Sequence, residues 1–117
     1  MLGLEDLRNL LSKYKFSFTN EKELQEGIAQ VLKSNYIYFN REISLSKKDR
    51  IDFLLENGIG LEVKIDGSAT KLANQIRRYL DHEQLTGILI VVNLSKLLDL
   101  PVSLNGKPII TLCLRNL

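Results

Sequence analysis

Residues Asp52 to Lys64 read "DFLLENGIGLEVK", two short apolar runs on either side of Asn57-Gly58. That is the pattern of a β-hairpin. It also carries Asp52, Glu62 and Lys64, charges that a small core accepts only with partners. Residues two apart on a strand share a face. Glu62 and Lys64 therefore point one way, and Leu61, Val63 and Ile65 the other. The face of Asp52 depends on the turn. A two-residue Asn57-Gly58 loop pairs Asp52 with Val63 and puts the aspartate on the wrong face. A three-residue loop of Glu56, Asn57 and Gly58, a type I turn with Gly58 left-handed, pairs Leu55 with Ile59 and Asp52 with Glu62. The second register is expected. It gathers the charges on one face and leaves Phe53, Leu55, Ile59, Leu61 and Val63 on the other.

Two carboxylates directly across a sheet repel unless a cation lies between them or one is protonated. Lys64 offsets part of that repulsion, and a divalent ion offsets more. Hard cations such as Mg²⁺ or Mn²⁺ prefer carboxylate and carbonyl oxygens. Asp52, Glu62 and the Val63 carbonyl can supply three. Lys64 beside them can orient a water or neutralise a phosphate oxygen. Taken alone, D…ExK is short and common, and a salt-bridged surface strand is its everyday meaning.

Outward from the hairpin, the periodicity orders the chain. Leu4, Leu7, Leu10, Leu11 and Tyr14 predict an amphipathic helix over 4–14. Thr19 or Asn20 caps a second helix, with Glu23 closing a capping box onto Asn20. Its buried stripe is Leu24, Ile28, Val31 and Leu32. Tyr36 to Leu45 reads as a first strand, with Tyr36, Tyr38 and Asn40 on one face. Lys47 to Arg50 is a polar turn into the second strand, Ile51 to Glu56; Ile59 to Ile65 is the third. Ser68 caps a helix running to about His82. "GILIVV" from Gly87 is an apolar strand covered on both faces. Asn93 or Ser95 opens a short helix ending at Pro101, and a turn at Asn105-Gly106 leads into a last strand through Leu114. The strand–helix–strand crossover makes the third strand and "GILIVV" parallel. The expectation is a mixed α/β sheet flanked by helices in a single domain over 1–117. It comprises a helical extension at 1–18, a core at 20–92 and a helix–strand appendage at 93–117.

Composition narrows the chemistry. The chain has 117 residues, 44% of them hydrophobic, and carries 16 basic and 14 acidic residues for a net charge of +2. That balance argues for no nucleic-acid partner by itself; placement must do so. One cysteine, Cys113, and one histidine, His82, exclude a disulfide, a cysteine zinc site and a His-rich centre. No apolar run reaches the length of a membrane span, and the N-terminus lacks a signal-peptide pattern. A reducing, cytoplasmic setting with no membrane partner is expected.

The order of helix, meander with D then ExK on adjacent strands, helix and strand resembles the PD-(D/E)xK nuclease superfamily over roughly 20–92. Here the motif stands as Ile51-Asp52 and Glu62-Val63-Lys64, with Ile51 where the family usually has proline. The following helix carries Gln75-Ile76-Arg77-Arg78-Tyr79, similar to the QxxxY motif of the RecB-like branch. Gln75 and Tyr79, four apart, stack on one helical face, at the edge of a stripe of Leu72, Ile76 and Leu80. The resemblance implies a restriction-endonuclease-like core and a site in which Gln75 and Tyr79 orient the chemistry or touch substrate. It also implies an acid on the first core helix near the metal. Glu21, Glu23 and Glu26 compete; Glu21 lies nearest the edge of the buried stripe, and Gln25 shares its flank.

The function implied is metal-dependent hydrolysis of DNA phosphodiester bonds by water, with Mg²⁺ or Mn²⁺ held by Asp52, Glu62, Val63 and Glu21. RNA is left open as a substrate. Lys47, Lys48, Arg50, Lys71, Arg77 and Arg78 are the basic groups placed to meet phosphates without reading bases. Arg77 and Arg78 cannot both share the Gln75/Tyr79 face. The alternative is a non-catalytic nuclease fold that binds DNA or assembles with a larger complex. Enzymes acting on two strands often pair such sites by dimerisation. Leu4, Leu7 and Leu11 of the first helix and the terminal "IITLCL" are candidate interface elements, with core cover the plainer use of each.

Overall fold

The computed structural model describes residues 2–93 and 100–114. Helices α1 (Leu4–Ser12) and α2 (Glu21–Ser34) precede strands β1 (Phe39–Ser44), β2 (Arg50–Leu55) and β3 (Ile59–Lys64). Helix α3 (Ala69–Tyr79), β4 (Gly87–Asn93), β5 (Ser103–Leu104) and β6 (Lys107–Leu114) complete the described elements. The sheet runs β1-β2-β3-β4-β6-β5. Neighbours β1, β2 and β3 are antiparallel, whereas β3–β4 and β4–β6 are parallel. The molecule is thus an α/β protein with a mixed sheet between helices.

Apolar periodicity explains the layers. Leu4, Leu7 and Leu11 of α1 and Leu24, Ile28 and Leu32 of α2 pack on one face, against Phe53, Leu61, Val63, Leu89 and Val91. Leu72, Ile76 and Tyr79 of α3 and Leu80 at its C-cap cover the other, against Ile88, Ile90 and Val92. Strand β4 is buried on both faces from Gly87 to Val92, which is why it reads as an unbroken apolar run. The α1 stripe is spent on this core, and the whole "IITLCL" segment lies in β6 beside β4. Among the described residues, no helix is long and apolar enough to cross a membrane.

Several boundaries differ from expectation. α1 stops at Ser12. The carboxylate of Glu23 accepts from the Thr19 N–H and hydroxyl rather than from Asn20, whose own side chain caps the helix by accepting from Glu23 N–H at 2.8 Å. Tyr36 is outside β1. It stands left-handed (φ 58°) at the end of α2, its N–H donating to Lys33 O and the Ile37 N–H to Leu32 O. That is the Schellman termination, filled by tyrosine where glycine is usual. The Asn105-Gly106 turn has positive φ at both residues, 54° and 73°, and joins β6 to β5, a strand the pattern did not announce. The short helix expected between Asn93 or Ser95 and Pro101 falls on 94–99, outside the described residues; Asn93 itself ends β4.

Candidate active site

The hairpin adopts the three-residue register. Phe53 pairs with Leu61 and Leu54 with Gly60, which sets Asp52 opposite Glu62. Gly58 is left-handed at φ 86°, and its N–H donates to Leu55 O at 3.0 Å. Beyond Phe53 the acids take over the bonding between the strands. Asp52 Oδ2 accepts from Val63 N–H at 2.8 Å, and Glu62 Oε1 accepts from Asp52 N–H at 3.1 Å. The carboxylates are thereby fixed side by side at the open end of the hairpin.

Alternation along β2 breaks at the same point. Phe53 and Leu55 pack toward α1 and α2, whereas Ile51, two residues from Phe53, packs with the α3 layer. Opposite Asp52 on β1 lies Glu42, the residue between the paired Arg41 and Ile43, with φ 51°. A local twist thus carries Ile51 across the sheet. Gly60 makes the seat for it, since a Cβ there would collide with the Ile51 side chain and press on Leu85.

Helix α3 closes the site from above. Tyr79 is fully buried, deeper than the edge position expected from its spacing. Its hydroxyl donates to the Arg50 carbonyl at 2.7 Å, accepts from Gln75 Nε2 at 2.7 Å and lies 3.3 Å from Glu62 Oε2. A hydroxyl has one proton, so the short Arg50 contact takes it. Burial, then the Glu62 and Asp52 charges, push the Tyr79 hydroxyl up and keep it a neutral donor.

From α2, Glu21 reaches the end of β3 and accepts from Ile65 N–H at 2.9 Å, with Asp66 N–H at 3.4 Å. Its charge bears on Asp52. Glu23 is engaged with Thr19, and Glu26 with Arg41 at 2.6 Å. Gln25 shares that arginine at 3.2 Å.

The electrostatics are those of a crowded acid pair. Burial, then the Asp52 charge, push the Glu62 carboxyl up to about 8. Asp52 rises to about 6 through burial and the Glu21 charge, against the lowering bond from Val63 N–H. Lys64 lowers both but does not cancel their mutual repulsion. At neutral pH the pair holds a proton.

The basic residues divide. Lys47, Lys48 and Arg50 are exposed on the β1–β2 loop and the start of β2. Arg77 is exposed and bonds Asn74 at 3.3 Å. Lys64, Lys71 and Arg78 line one groove of about 540 Å³ together with Gln75. Arg78 is held there by Asp49, at 3.0 Å. Asp49 was legible only as a turn residue. It is 5% exposed and also meets His82 Nε2 at 3.2 Å. Burial alone would raise its carboxyl, but the bonds from Arg78 and His82 outweigh that and hold it low. The sequence signal for this cluster was weak, an acid in a polar loop and a lone histidine far along the chain.

Asp52 and Glu62 fit a hard divalent ion in one respect: they are paired oxygen donors, Glu62 buried and Asp52 half-buried, whose repulsion Lys64 only partly offsets. The chain stops short in another, for among the described residues no group of three or more His, Cys, Asp or Glu side chains is arranged to hold a metal. No protein-family model, curated protein or solved structure matches the chain.

Proposed function

We propose that this chain is a metal-dependent nuclease with a PD-(D/E)xK, restriction-endonuclease-like core of the RecB-like branch, hydrolysing DNA phosphodiester bonds. The observation carrying the reading is the acid pair at the open end of the β2–β3 hairpin, with Lys64 on the same strand face and a basic groove alongside. Asp52, Glu62 and the Val63 carbonyl would hold Mg²⁺ or Mn²⁺. On a strand, one residue's N–H and C=O point the same way, which turns the Val63 carbonyl toward the opened side. The ion would stabilise charge on the phosphate and leaving oxygen. Lys64 supplies a cation beside the scissile phosphate. Tyr79 and Gln75 hold the Arg50 backbone and the Glu62 carboxyl in place. Glu21 fixes the end of β3 through Ile65 N–H and adds negative potential rather than standing as a ligand, since among the described residues no third acid converges on the Asp52–Glu62 pair.

A second reading rests on one observation. Both acids are satisfied by backbone N–H groups, and among the described residues no third acid converges on them. A nuclease fold retained for binding DNA, or for assembly in a larger complex, would tolerate that arrangement. A panel of linear, nicked, single-stranded and branched DNA with Mn²⁺ separates the two. Under the nuclease reading the protein cleaves at least one substrate, EDTA stops it, and Lys64→Ala or Glu62→Gln abolishes cleavage while the far-UV spectrum is unchanged. Cleavage that survives Lys64→Ala, or that persists in EDTA, refutes the mechanism. Binding without cleavage of any substrate favours the module.

A further inference from the structure

Helix α3 carries two stripes. Leu72, Ile76, Tyr79 and Leu80 face the sheet. Lys71, Asn74, Gln75 and Arg78, spaced i, i+3, i+4 and i+7, form a second face that lines the groove beginning at Lys64. Among the described residues, no carboxylate lines it. Asn74 Oδ1 is occupied by Arg77, which leaves its amide N–H groups to donate. A concave face of donors and cations with no acid matches a polyanion.

Arg78 is the decisive residue. Asp49 engages its Nε at 3.0 Å, and the Arg78 side chain remains half exposed. An arginine held by its Nε keeps its terminal amino groups, the fork that takes two phosphate oxygens. Asp49 is itself rigid. Its N–H donates to Ser46 Oγ at 3.2 Å, its carbonyl accepts from Leu45 N–H at 2.7 Å, and His82 braces its second oxygen. Arg77, next in sequence, points elsewhere.

We propose that this face of α3 is a phosphate track for one nucleic-acid strand, with Arg78 and Lys71 as backbone contacts and Asp49 as the positioning residue that aims Arg78. The inference deepens the nuclease reading and rests on it for the identity of the ligand, but binding in EDTA tests it without catalysis. The measurement is fluorescence anisotropy of a short labelled single-stranded oligonucleotide across a salt series. Arg78→Ala and Lys71→Ala should each weaken binding roughly tenfold. Each should also flatten the slope of log K against log salt by about 0.7, the loss of one phosphate contact on a single strand.

Asp49→Asn should flatten the slope as Arg78→Ala does, and the double variant should lose no more than Arg78→Ala alone. A merely structural Asp49 would give additive losses and leave the slope alone. Thermal melts set the assay temperature below each variant's transition, and Arg78→Lys, which keeps the charge without the fork, provides a variant that spares the charge balance around Asp49. It should bind more weakly than the parent. Parent protein that fails to bind, Arg78→Ala with an unchanged slope, or additive losses in the double variant would each overturn the track. Binding with these dependences from a protein that cleaves nothing supports the track and removes the nuclease reading alone.

Discussion

Glu62 is 4% exposed, faces another carboxylate and binds its proton more tightly folded than unfolded. The sign of the consequence follows by linkage. A carboxyl raised in the folded state contributes stability that is complete below its unfolded value and is lost as pH rises through the folded one. With Glu62 ordinarily near 4.5 and here about 8, metal-free protein should lose thermal stability as pH climbs through that window. Asp52, raised to about 6, acts in the same direction. Asp49 is held low and acts oppositely: its contribution is present above its ordinary value of 3.8 and disappears only in stronger acid, outside the window. Glu62→Gln, neutral throughout, should flatten the alkaline decline. The check is Tm against pH in EDTA for both proteins, and a parent Tm that holds steady or rises from pH 5 to 8 contradicts it. At Tyr79 the expectation concerns an orphaned acceptor. Tyr79→Phe strips the donor from the part-buried Arg50 carbonyl, a loss of about 1–3 kcal/mol, readable by urea unfolding.

At the scale of elements, the hairpin joins stability to chemistry through its glycines. Gly60 has no room for a methyl group because Ile51 occupies the space, and Ile51 sits next to Asp52. Gly60→Ala should cost about 1–3 kcal/mol through overpacking. Under the nuclease reading, the Ile51 shift it forces should also lower cleavage. Ile51→Val in the same chain removes one methyl group and should recover part of both losses. If Gly60→Ala unfolds at the parental urea midpoint, the packing account fails. The hairpin was also the most legible element. Its Gly58 selected the loop, the loop selected the register, and the register decided which face Asp52 shares. The place of Glu21 beside the end of β3 was readable for a similar reason, since the helical period fixed which acid flanks the stripe. Ile51 was not readable, because a twist at Asp52 and Glu42 breaks the two-residue alternation that any sequence pattern assumes. The depth of Tyr79 was missed because its polar end is satisfied by a backbone carbonyl, a partner without a sequence signature. Arg78 read only as one of several basic groups placed to meet phosphates, its tie to Asp49 hidden because that partner lies 29 positions away.

For the molecule as a whole, the two helical layers hold a sheet whose open hairpin end gathers groups from three elements: Glu21 from α2, the acids and Lys64 from the hairpin, and Gln75 and Tyr79 from α3. Nothing local holds them together; the sheet and its two cores do. The proposed metal site is therefore testable as a property of the folded protein. A ligand that binds only the native state raises stability by about 2.7 kcal/mol at one hundred times its dissociation constant, which for a domain of this size moves Tm by roughly 10 °C. Mn²⁺ added to EDTA-treated protein near pH 8 should raise Tm in a saturable way. Asp52→Asn should abolish the shift. Glu21→Gln should keep most of it, because among the described residues no third acid converges on the pair and Glu21 contributes potential rather than a bond to the ion. A shift of equal size in the parent and in Asp52→Asn would move the ion elsewhere on the surface. A shift lost equally in Asp52→Asn and Glu21→Gln would make Glu21 a ligand and require its carboxylate to close on the pair when the ion binds.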